Sequence, residues 1–236
     1  MTQPRFWHPI DLTLNSEYGD ETKFLGIKNA EITMTHGLLS RERVDNYPVI
    51  QISVRHPTYA PDFFGCGMFA FASERARKVM NLPDDEVQYL EVDDSNCSDY
   101  VKAQNYKAMN ILKTCSVSDP GKSGYSDMPL PKPEDIPEGF TMDKVMSMRV
   151  RRIAINPDAK PDASIFYDDY FPQPFCTDEL AMTVLRAGLT GMTFFDPSTQ
   201  IMTFNRRRFR TLRGVEEEHY DAKGRFSPKL VGRIDD

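Results

Sequence analysis

The chain has 236 residues, of which 40% are hydrophobic, and it carries a formal net charge of −6. This length and composition predict an ordered globular protein with a substantial core, organised as one domain over residues 1–236 or as two intimately packed lobes. They exclude a disordered chain, and the apolar runs are far shorter than the roughly 20 residues of a membrane helix. The N-terminal residues lack the layout of a secretory signal, so we expect a cytoplasmic location.

The first third of the chain predicts a strand, a loop and a helix. Phe6 and Trp7 are expected to anchor the N-terminal segment in the core. The β-branched alternation at 49–54 predicts a strand, and the prolines and glycines of 57–67 predict a loop. The segment 73–81 predicts a helix that a proline stops two residues later.

The middle of the chain is strongly acidic. A strand is predicted at 87–92, and the surrounding segment 84–99 has seven acids and no lysine or arginine. Periodicity does not decide between helix and strand for 100–112, whereas 148–155 predicts another strand. The segment 118–139 is rich in Pro, Gly, Ser and Asp and predicts a long exposed loop. The seven acids are Asp84, Asp85, Glu86, Glu91, Asp93, Asp94 and Asp99.

The C-terminal third contains the clearest local pattern. Thr177 is a good N-cap for a helix over 177–188, and Gly188 stands where a left-handed C-terminal cap is expected. The apolar run 192–195 predicts a buried strand, and an Asp-Pro-Ser turn would let 200–204 pair with it as an antiparallel hairpin. Runs of strands separated by single helices favour an α+β fold with mostly antiparallel sheets.

No segment predicts a catalytic, cofactor, metal or nucleic-acid site. The four cysteines are scattered without a CxxC pair, which favours buried free thiols. Residues 120–123 end like a phosphate loop but lack its first glycine, and 93–96 lacks the spaced oxygens of a calcium loop. The arginines of 206–210 are the best nucleic-acid pattern. Because the acids of 216–218 lie close by, local ion pairs are the favoured interpretation of those arginines.

Three segments of the chain carry a resemblance to a known family. The first is Phe71–Arg75, which leads to the strand at 87–92, and the second is Asn105–Leu112, followed by Ser-Asp. The third runs from Arg149 to Phe195 and includes the turn Ala187–Gly191. Together, over about residues 60–200, they resemble bacterial immunity proteins that protect against toxins of polymorphic, contact-dependent or secreted systems. The matching positions are structural and not catalytic.

The resemblance implies a non-enzymatic protein that binds a cognate toxin domain and occludes its active site or substrate groove. Many toxins of these systems are nucleases with basic grooves, onto which a rigid acidic surface can steer. Aromatic residues that can be buried, beside acids that can pair with Arg or Lys, have the composition of an interface. The candidate interface residues are Asp93, Asp94, Asp99, Tyr167, Asp168, Asp169 and Tyr170.

Other interpretations stay open at this point. The aromatic residues near 167–171 could fill the core beneath the 177–188 helix while the neighbouring acids face water. The chain could be an enzyme whose site is assembled from distant residues, or a self-associating scaffold that pairs through edge strands near 201–204. The identity of the toxin, the oligomeric state and the roles of 1–60 and 201–236 are not fixed by the sequence.

Overall fold

The computed structural model of the chain shows an α+β fold with mostly antiparallel sheets, as predicted. The described residues form three helices and seventeen strands in four sheets. The described residues are 6–11, 25–28, 41–45, 49–54, 60–66, 69–125, 150–171, 174–203, 206–211, 214–220 and 226–232. The helices are α1 (Glu74–Met80), α2 (Asp99–Lys102) and α3 (Asp178–Arg186).

The seventeen strands follow one another with helices interspersed. In chain order they are β1 (Phe6–Asp11), β2 (Leu25–Lys28), β3 (Ile50–Val54), β4 (Phe63–Cys66), β5 (Phe69–Ala72), β6 (Val87–Leu90), β7 (Val92–Asp93), β8 (Lys107–Ile111), β9 (Thr114–Cys115), β10 (Gly124–Tyr125), β11 (Val150–Arg152), β12 (Ile165–Asp168), β13 (Pro174–Thr177), β14 (Met192–Thr203), β15 (Arg206–Thr211), β16 (Gly214–Tyr220) and β17 (Phe226–Gly232).

The largest sheet has eight strands in the order β17-β16-β15-β14-β1-β13-β12-β9. A four-stranded sheet has the order β4-β5-β8-β6, a three-stranded sheet the order β2-β3-β7, and β10 pairs with β11. All pairings are antiparallel except those of β9 with β12 and of β3 with β7. Antiparallel neighbours need only short connections, which fits the many short strands of this chain.

Three clusters of buried side chains form the core. The first lies between α1 and α3, where Met80 and Val184 pack with Trp7 of β1. The second lies around β3, β5 and α2, and the third around β12 and β13. Phe6 belongs to the third cluster, so both predicted N-terminal anchors are confirmed as buried residues. The Trp7 indole N–H also donates to the Asp178 carboxylate at 2.7 Å, which ties β1 to the first turn of α3.

The helix ends agree with the capping patterns in the sequence. The Ser73 hydroxyl accepts from Ala76 N at 3.0 Å, and the Thr177 hydroxyl accepts from Leu180 N at 3.4 Å. These side chains satisfy backbone donors that the first turn of a helix leaves unpaired. Gly188 follows α3 with φ of 62°, the left-handed conformation expected of a C-terminal cap.

The turn between α3 and β14 is fixed by a close backbone contact. Phe63 N donates to Thr190 O at 2.9 Å, so the start of β4 lies directly against this turn. Gly191 has φ of 89°, and a Cβ atom there would lie 1.9 Å from the Phe63 carbonyl oxygen. The position therefore requires glycine for both its conformation and its space.

The predicted hairpin at 192–204 is wrong. Met192–Thr203 forms one continuous strand, β14, which pairs with Arg206–Thr211 instead of folding back on itself. The Asp196 carboxylate does accept from Ser198 N at 2.8 Å, as an Asp-Pro-Ser turn would. Here the turn becomes an irregularity in the register, and Ile153 N donates to Pro197 O at 3.0 Å from a neighbouring segment.

Other element boundaries differ from the predictions in smaller ways. The predicted loop at 57–67 contains a strand, β4, because Phe63 and Phe64 are buried and pair with β5. The undecided segment 100–112 contains both a helical turn, α2, and a strand, β8. The predicted strands at 49–54 and 87–92 are confirmed in large part, although a break after Leu90 divides the second one. Of the predicted strand at 148–155 the structure describes 150–155, and only Val150–Arg152 forms a strand. The predicted loop at 118–139 starts with a turn and then forms strand β10 at Gly124–Tyr125, and its remainder, 126–139, lies outside the described residues.

Candidate partner-binding surface

Three of the seven acids in the segment 84–99 are engaged in salt bridges or hydrogen bonds within the protein. Asp85 pairs with Lys113 at 2.9 Å, and Glu91 pairs with Lys107. Glu86 is buried, and two backbone N–H groups of the segment leading into β12 donate to its carboxylate. The acids of this segment with no salt bridge to any described residue are Asp84, Asp93, Asp94 and Asp99.

Three of these four acids lie on one ordered segment, Asp93–Asp99, which we call the acidic loop. The Asp93 carboxylate accepts from Gln51 Nε2 of β3 at 2.9 Å and from Ser95 N at 2.9 Å. Hydrogen bonds from Ser95 and from Gln51 lower the pKa of Asp93, so its charge persists at mildly acidic pH. The buried Cys97 thiol donates to Ile52 O at 3.5 Å and anchors the loop to the second core cluster.

The loop ends in α2, which presents an aromatic side chain beside an acid. The Ser98 hydroxyl accepts from Val101 N at 3.4 Å and caps the helix, whose first residue, Asp99, is exposed. Tyr100 is 48% exposed, an unusual position for a large aromatic residue. Tyr100 is not among the candidates predicted from the sequence, because the pattern of so short a helix does not tell which of its faces is buried.

Asp168 does not belong to any exposed surface. It is fully buried and accepts hydrogen bonds from Val117 N, Ser118 N and Ser118 Oγ at 3.1, 3.0 and 2.7 Å. It also accepts from Tyr170 N and Phe171 N, each at 2.9 Å. A buried carboxylate with five donors is a structural connection between β12 and the segment after β9. Asp168 therefore cannot touch a partner while this fold is intact, and it does not face water either.

The neighbours of Asp168 are partly accessible. Asp169 is exposed, whereas Tyr170 is half-buried and makes an edge contact with Phe171 at 4.9 Å between ring centroids. Tyr167 is half-buried against the first core cluster, and the Arg41 guanidinium lies 4.9 Å from its ring centroid. This turn, Tyr167–Tyr170, can thus offer one full acid and parts of two aromatic rings.

The acidic loop and the Tyr167–Tyr170 turn belong to different sheets. Asp93 lies in β7 of the three-stranded sheet, whereas Tyr167 lies in β12 of the eight-stranded sheet. Within the described ranges, no hydrogen bond or salt bridge connects the two groups. The structure brings the three acids of the loop together with Tyr100 and leaves Asp169 and Tyr170 as a second, separate patch.

Neither a metal centre nor a reactive thiol is found among the side chains that the structure describes. No group of three or more His, Cys, Asp or Glu among them could hold a metal ion. Cys97, Cys115 and Cys176 are buried thiols that form no disulfide with one another, and burial raises the pKa of the Cys115 thiol to about 11 and that of Cys176 further. Such thiols are poor nucleophiles at neutral pH. None of the three helices in this part of the chain has the length and apolar content that a membrane crossing requires.

Comparison with known families matches the resemblance seen in the sequence. A model described as an immunity protein family (Imm11) matches residues 20–199, which is 180 of the 236 residues. The match begins at residue 20 rather than near 60, and it includes both the acidic loop and the Tyr167–Tyr170 turn. It ends within β14, so that β15, β16 and β17 lie outside it. No curated protein matches the chain.

Proposed function

The chain belongs to the Imm11 family of immunity proteins, and we propose that it neutralises a cognate toxin domain by binding it stoichiometrically and occluding its active site or substrate groove. Family membership supports the immunity role, and the acidic loop supports the mode of binding. In this proposal the protein acts in the cytoplasm against a toxin of a polymorphic system used in competition between bacteria. It acts by contact alone and has no catalytic step.

The observation that carries the proposal is an ordered acidic surface around an exposed aromatic residue. Asp93, Asp94 and Asp99 share one short segment, and Tyr100 follows them directly. Hydrogen bonds from β3 and the buried Cys97 thiol hold this segment in place before any partner arrives. A preordered surface loses little conformational entropy on binding, which is what a tight inhibitor requires.

The chemistry of this surface favours a basic partner. Carboxylates that have no lysine or arginine partner among the described residues can pair with cations of the toxin, and a partly exposed tyrosine is a common interface anchor. A nuclease with a basic substrate groove fits this description, because the acidic loop would compete with phosphates for the same cations. Asp169 and Tyr170 form a second contact candidate, and Tyr167 supports that turn from its half-buried position.

Survival of bacteria provides the experimental test. Cells would express the toxin domain encoded beside this chain's gene, with and without the chain, and the complex would then be isolated from the surviving cells. We expect rescue together with a one-to-one complex. Rescue without a complex would favour an enzyme that reverses the damage, and a toxin that kills equally in both strains would contradict the proposal.

A further inference from the structure

A groove lined by several cations lies beside the acidic loop. It is an open groove of about 420 Å³ that runs between α1 and the strands β6 and β8. Its lining contains three cations on a protein whose net charge is −6. The lining residues that matter here are Glu74, Arg77, Lys78, Tyr89, Asn105 and Lys107.

Two polar atoms at the groove have no internal partner. Arg77 Nη1 and the Tyr89 hydroxyl are both buried, and neither forms a hydrogen bond with any described residue. The Arg77 guanidinium carbon lies 5.7 Å from the Tyr89 ring centroid, so both donors belong to one small region. Buried donors are satisfied in most folded proteins, and an unsatisfied one costs about 1–3 kcal/mol. Two such donors in one groove are positions where an acceptor of a ligand would complete the hydrogen bonding once the side chains turn toward it, since both atoms have almost no exposed surface.

The other cations of the groove already have counterions. Lys78 pairs with Glu74 at 2.5 Å, and Lys107 pairs with Glu91. Arg77 forms no salt bridge with a described acid, and desolvation by the surrounding protein lowers its pKa from the ordinary value. A guanidinium nevertheless stays protonated in proteins. Glu74 and Glu91 attract this charge without forming a salt bridge to it, and because both acids already pair with lysines, three cations of the groove share two acids.

We propose that this groove receives an acidic side chain of the toxin, with Arg77 as the anchoring cation and the Tyr89 hydroxyl as a second donor. The inference rests on the proposed function, since it takes the partner to be a toxin domain. A carboxylate suits the site because it can accept from a guanidinium and a hydroxyl together. Glu74 and Glu91 flank the site and repel any anion, so three cations beside two acids suit one carboxylate better than the repeated phosphates of a nucleic acid.

The groove and the acidic loop adjoin along the chain and in space. Glu74 N donates to Gln104 O at 2.9 Å, and Asn105 Nδ2 donates to the Glu74 carboxylate at 3.4 Å. These contacts attach the segment that follows α2 to the first turn of α1. A partner seated on Tyr100 would therefore reach the groove, and it must present basic groups to the loop and an acid to Arg77. This alternation would discriminate between toxins, because a purely basic surface leaves Arg77 unpaired.

Affinity measurements on matched variants test this assignment. Arg77→Gln should weaken toxin binding by about tenfold and Tyr89→Phe by about threefold, as expected for an interfacial charge pair and a neutral hydrogen bond. The control Arg186→Gln removes an exposed arginine from the last turn of α3 and should change affinity less than twofold. Tyr89→Phe should melt at the wild-type temperature, because the Tyr89 hydroxyl has no hydrogen-bond partner among the described residues, and Arg77→Gln should melt only slightly lower, because it loses the weak attraction of Glu74 and Glu91. Equal affinity of Arg77→Gln and wild type would overturn the inference.

A second measurement separates failure of the groove from failure of the proposed function. The Arg77 Nε–Hε resonance would be followed by NMR while N-acetylglutamate amide, or its neutral glutamine counterpart, is added to the free protein. A saturable shift with the glutamate analogue alone supports a carboxylate site even if the toxin does not bind. No shift, or a shift with dimethyl phosphate in place of the glutamate analogue, would overturn it.

Discussion

The buried and the exposed carboxylates of this chain have the same chemistry but different roles, because the buried ones stabilise the fold and the exposed ones are available to a partner. Asp168 is fully buried and accepts five hydrogen bonds, whereas its neighbour Asp169 is exposed. Burying a charge is costly unless donors surround it, so a buried acid stays only where the fold itself uses it. An exposed acid contributes little to stability and remains available to a partner. The environment of each acid, and not its position in an acidic run, decides its role.

The buried acids connect segments that are distant in sequence. The Asp62 carboxylate accepts from Ser73 Oγ at 3.0 Å and from Thr190 N at 2.9 Å, and it also pairs with Arg75 at 2.9 Å. It thereby joins the start of α1 to the turn before β14. Glu86 accepts from backbone N–H groups that lead into β12. Together with Asp168, these acids hold the frame on which the exposed acids are presented.

Removal of a buried acid should give the largest change in stability. Asp168→Ala leaves four backbone N–H groups without an acceptor and should lower the free energy of unfolding by about 4 kcal/mol. Asp169→Ala, one residue away, should change it by less than about 0.5 kcal/mol. Urea unfolding at neutral pH measures both. Equal effects of the two substitutions would mean that the distinction between buried and exposed acids is wrong.

The glycines after α3 test how tightly the same frame is packed. Gly191→Ala forces a side chain into a left-handed conformation against the Phe63 carbonyl and should cost about 3 kcal/mol of stability. Gly188→Ala also adopts positive φ but meets nothing within 4 Å, so it should cost about 1 kcal/mol. Thermal and urea unfolding would rank the two. A Gly191 variant as stable as the Gly188 variant would disprove the close contact.

On the exposed side of the comparison, Tyr100 should affect binding and leave stability unchanged. Tyr100→Ala removes a side chain that is 48% exposed, so the free energy of unfolding should change by less than about 0.5 kcal/mol. Affinity for the toxin domain should fall about tenfold, as for an interface anchor. Calorimetric titration measures the affinity, and Val49→Ala is a control with similar exposure outside the loop. If the variant binds with wild-type affinity, Tyr100 is not part of the toxin-binding surface.

Alkaline pH should slightly lower the free energy of unfolding. Burial raises the pKa of Cys115 to about 11 and that of Cys176 further, whereas the pKa of a thiol in the unfolded chain is about 8.5. Ionisation then favours the unfolded chain, so the stability present below about pH 8.5 should decline as the pH rises toward 11. Urea unfolding at about pH 7 and about pH 9.5 would show it. Cys176→Ala should reduce the decline, and an increase of stability with pH would contradict it.

Local patterns in the sequence predicted much of the fold. Thr177 was identifiable as a helix cap and Gly188 as a helix end, because each acts on residues within one turn. The Asp-Pro-Ser turn near Asp196 was also recognised from its local hydrogen bonding. The hairpin predicted from this turn was wrong, because pairing with the later strand β15 and the contact with Ile153 keep β14 continuous. Non-local contacts of this kind leave no trace in a short window of sequence.

The candidate site was predictable only in part for the same reason. The donors to Asp168 at Val117 and Ser118 lie about 50 residues away in sequence, so the sequence could not show that this acid is buried. The lysines that neutralise Asp85 and Glu91 likewise come from outside the acidic run. The groove around Arg77 was missed because a helix and two strands form it jointly. The division into one domain or two lobes stays a prediction.

The most direct test of the central claim is the affinity of the purified chain for its toxin domain after the acidic loop is neutralised. In the combined variant Asp93→Asn, Asp94→Asn and Asp99→Asn, we expect binding to weaken about 100-fold, with a weaker dependence on salt. The melting temperature should fall only slightly, because an asparagine at position 93 keeps one of the two oxygens that accept from Gln51 and Ser95. Asp84→Asn is the matched control, since it removes an exposed acid of the same run outside the loop. A combined variant that binds as tightly as wild type would show that the toxin is recognised elsewhere.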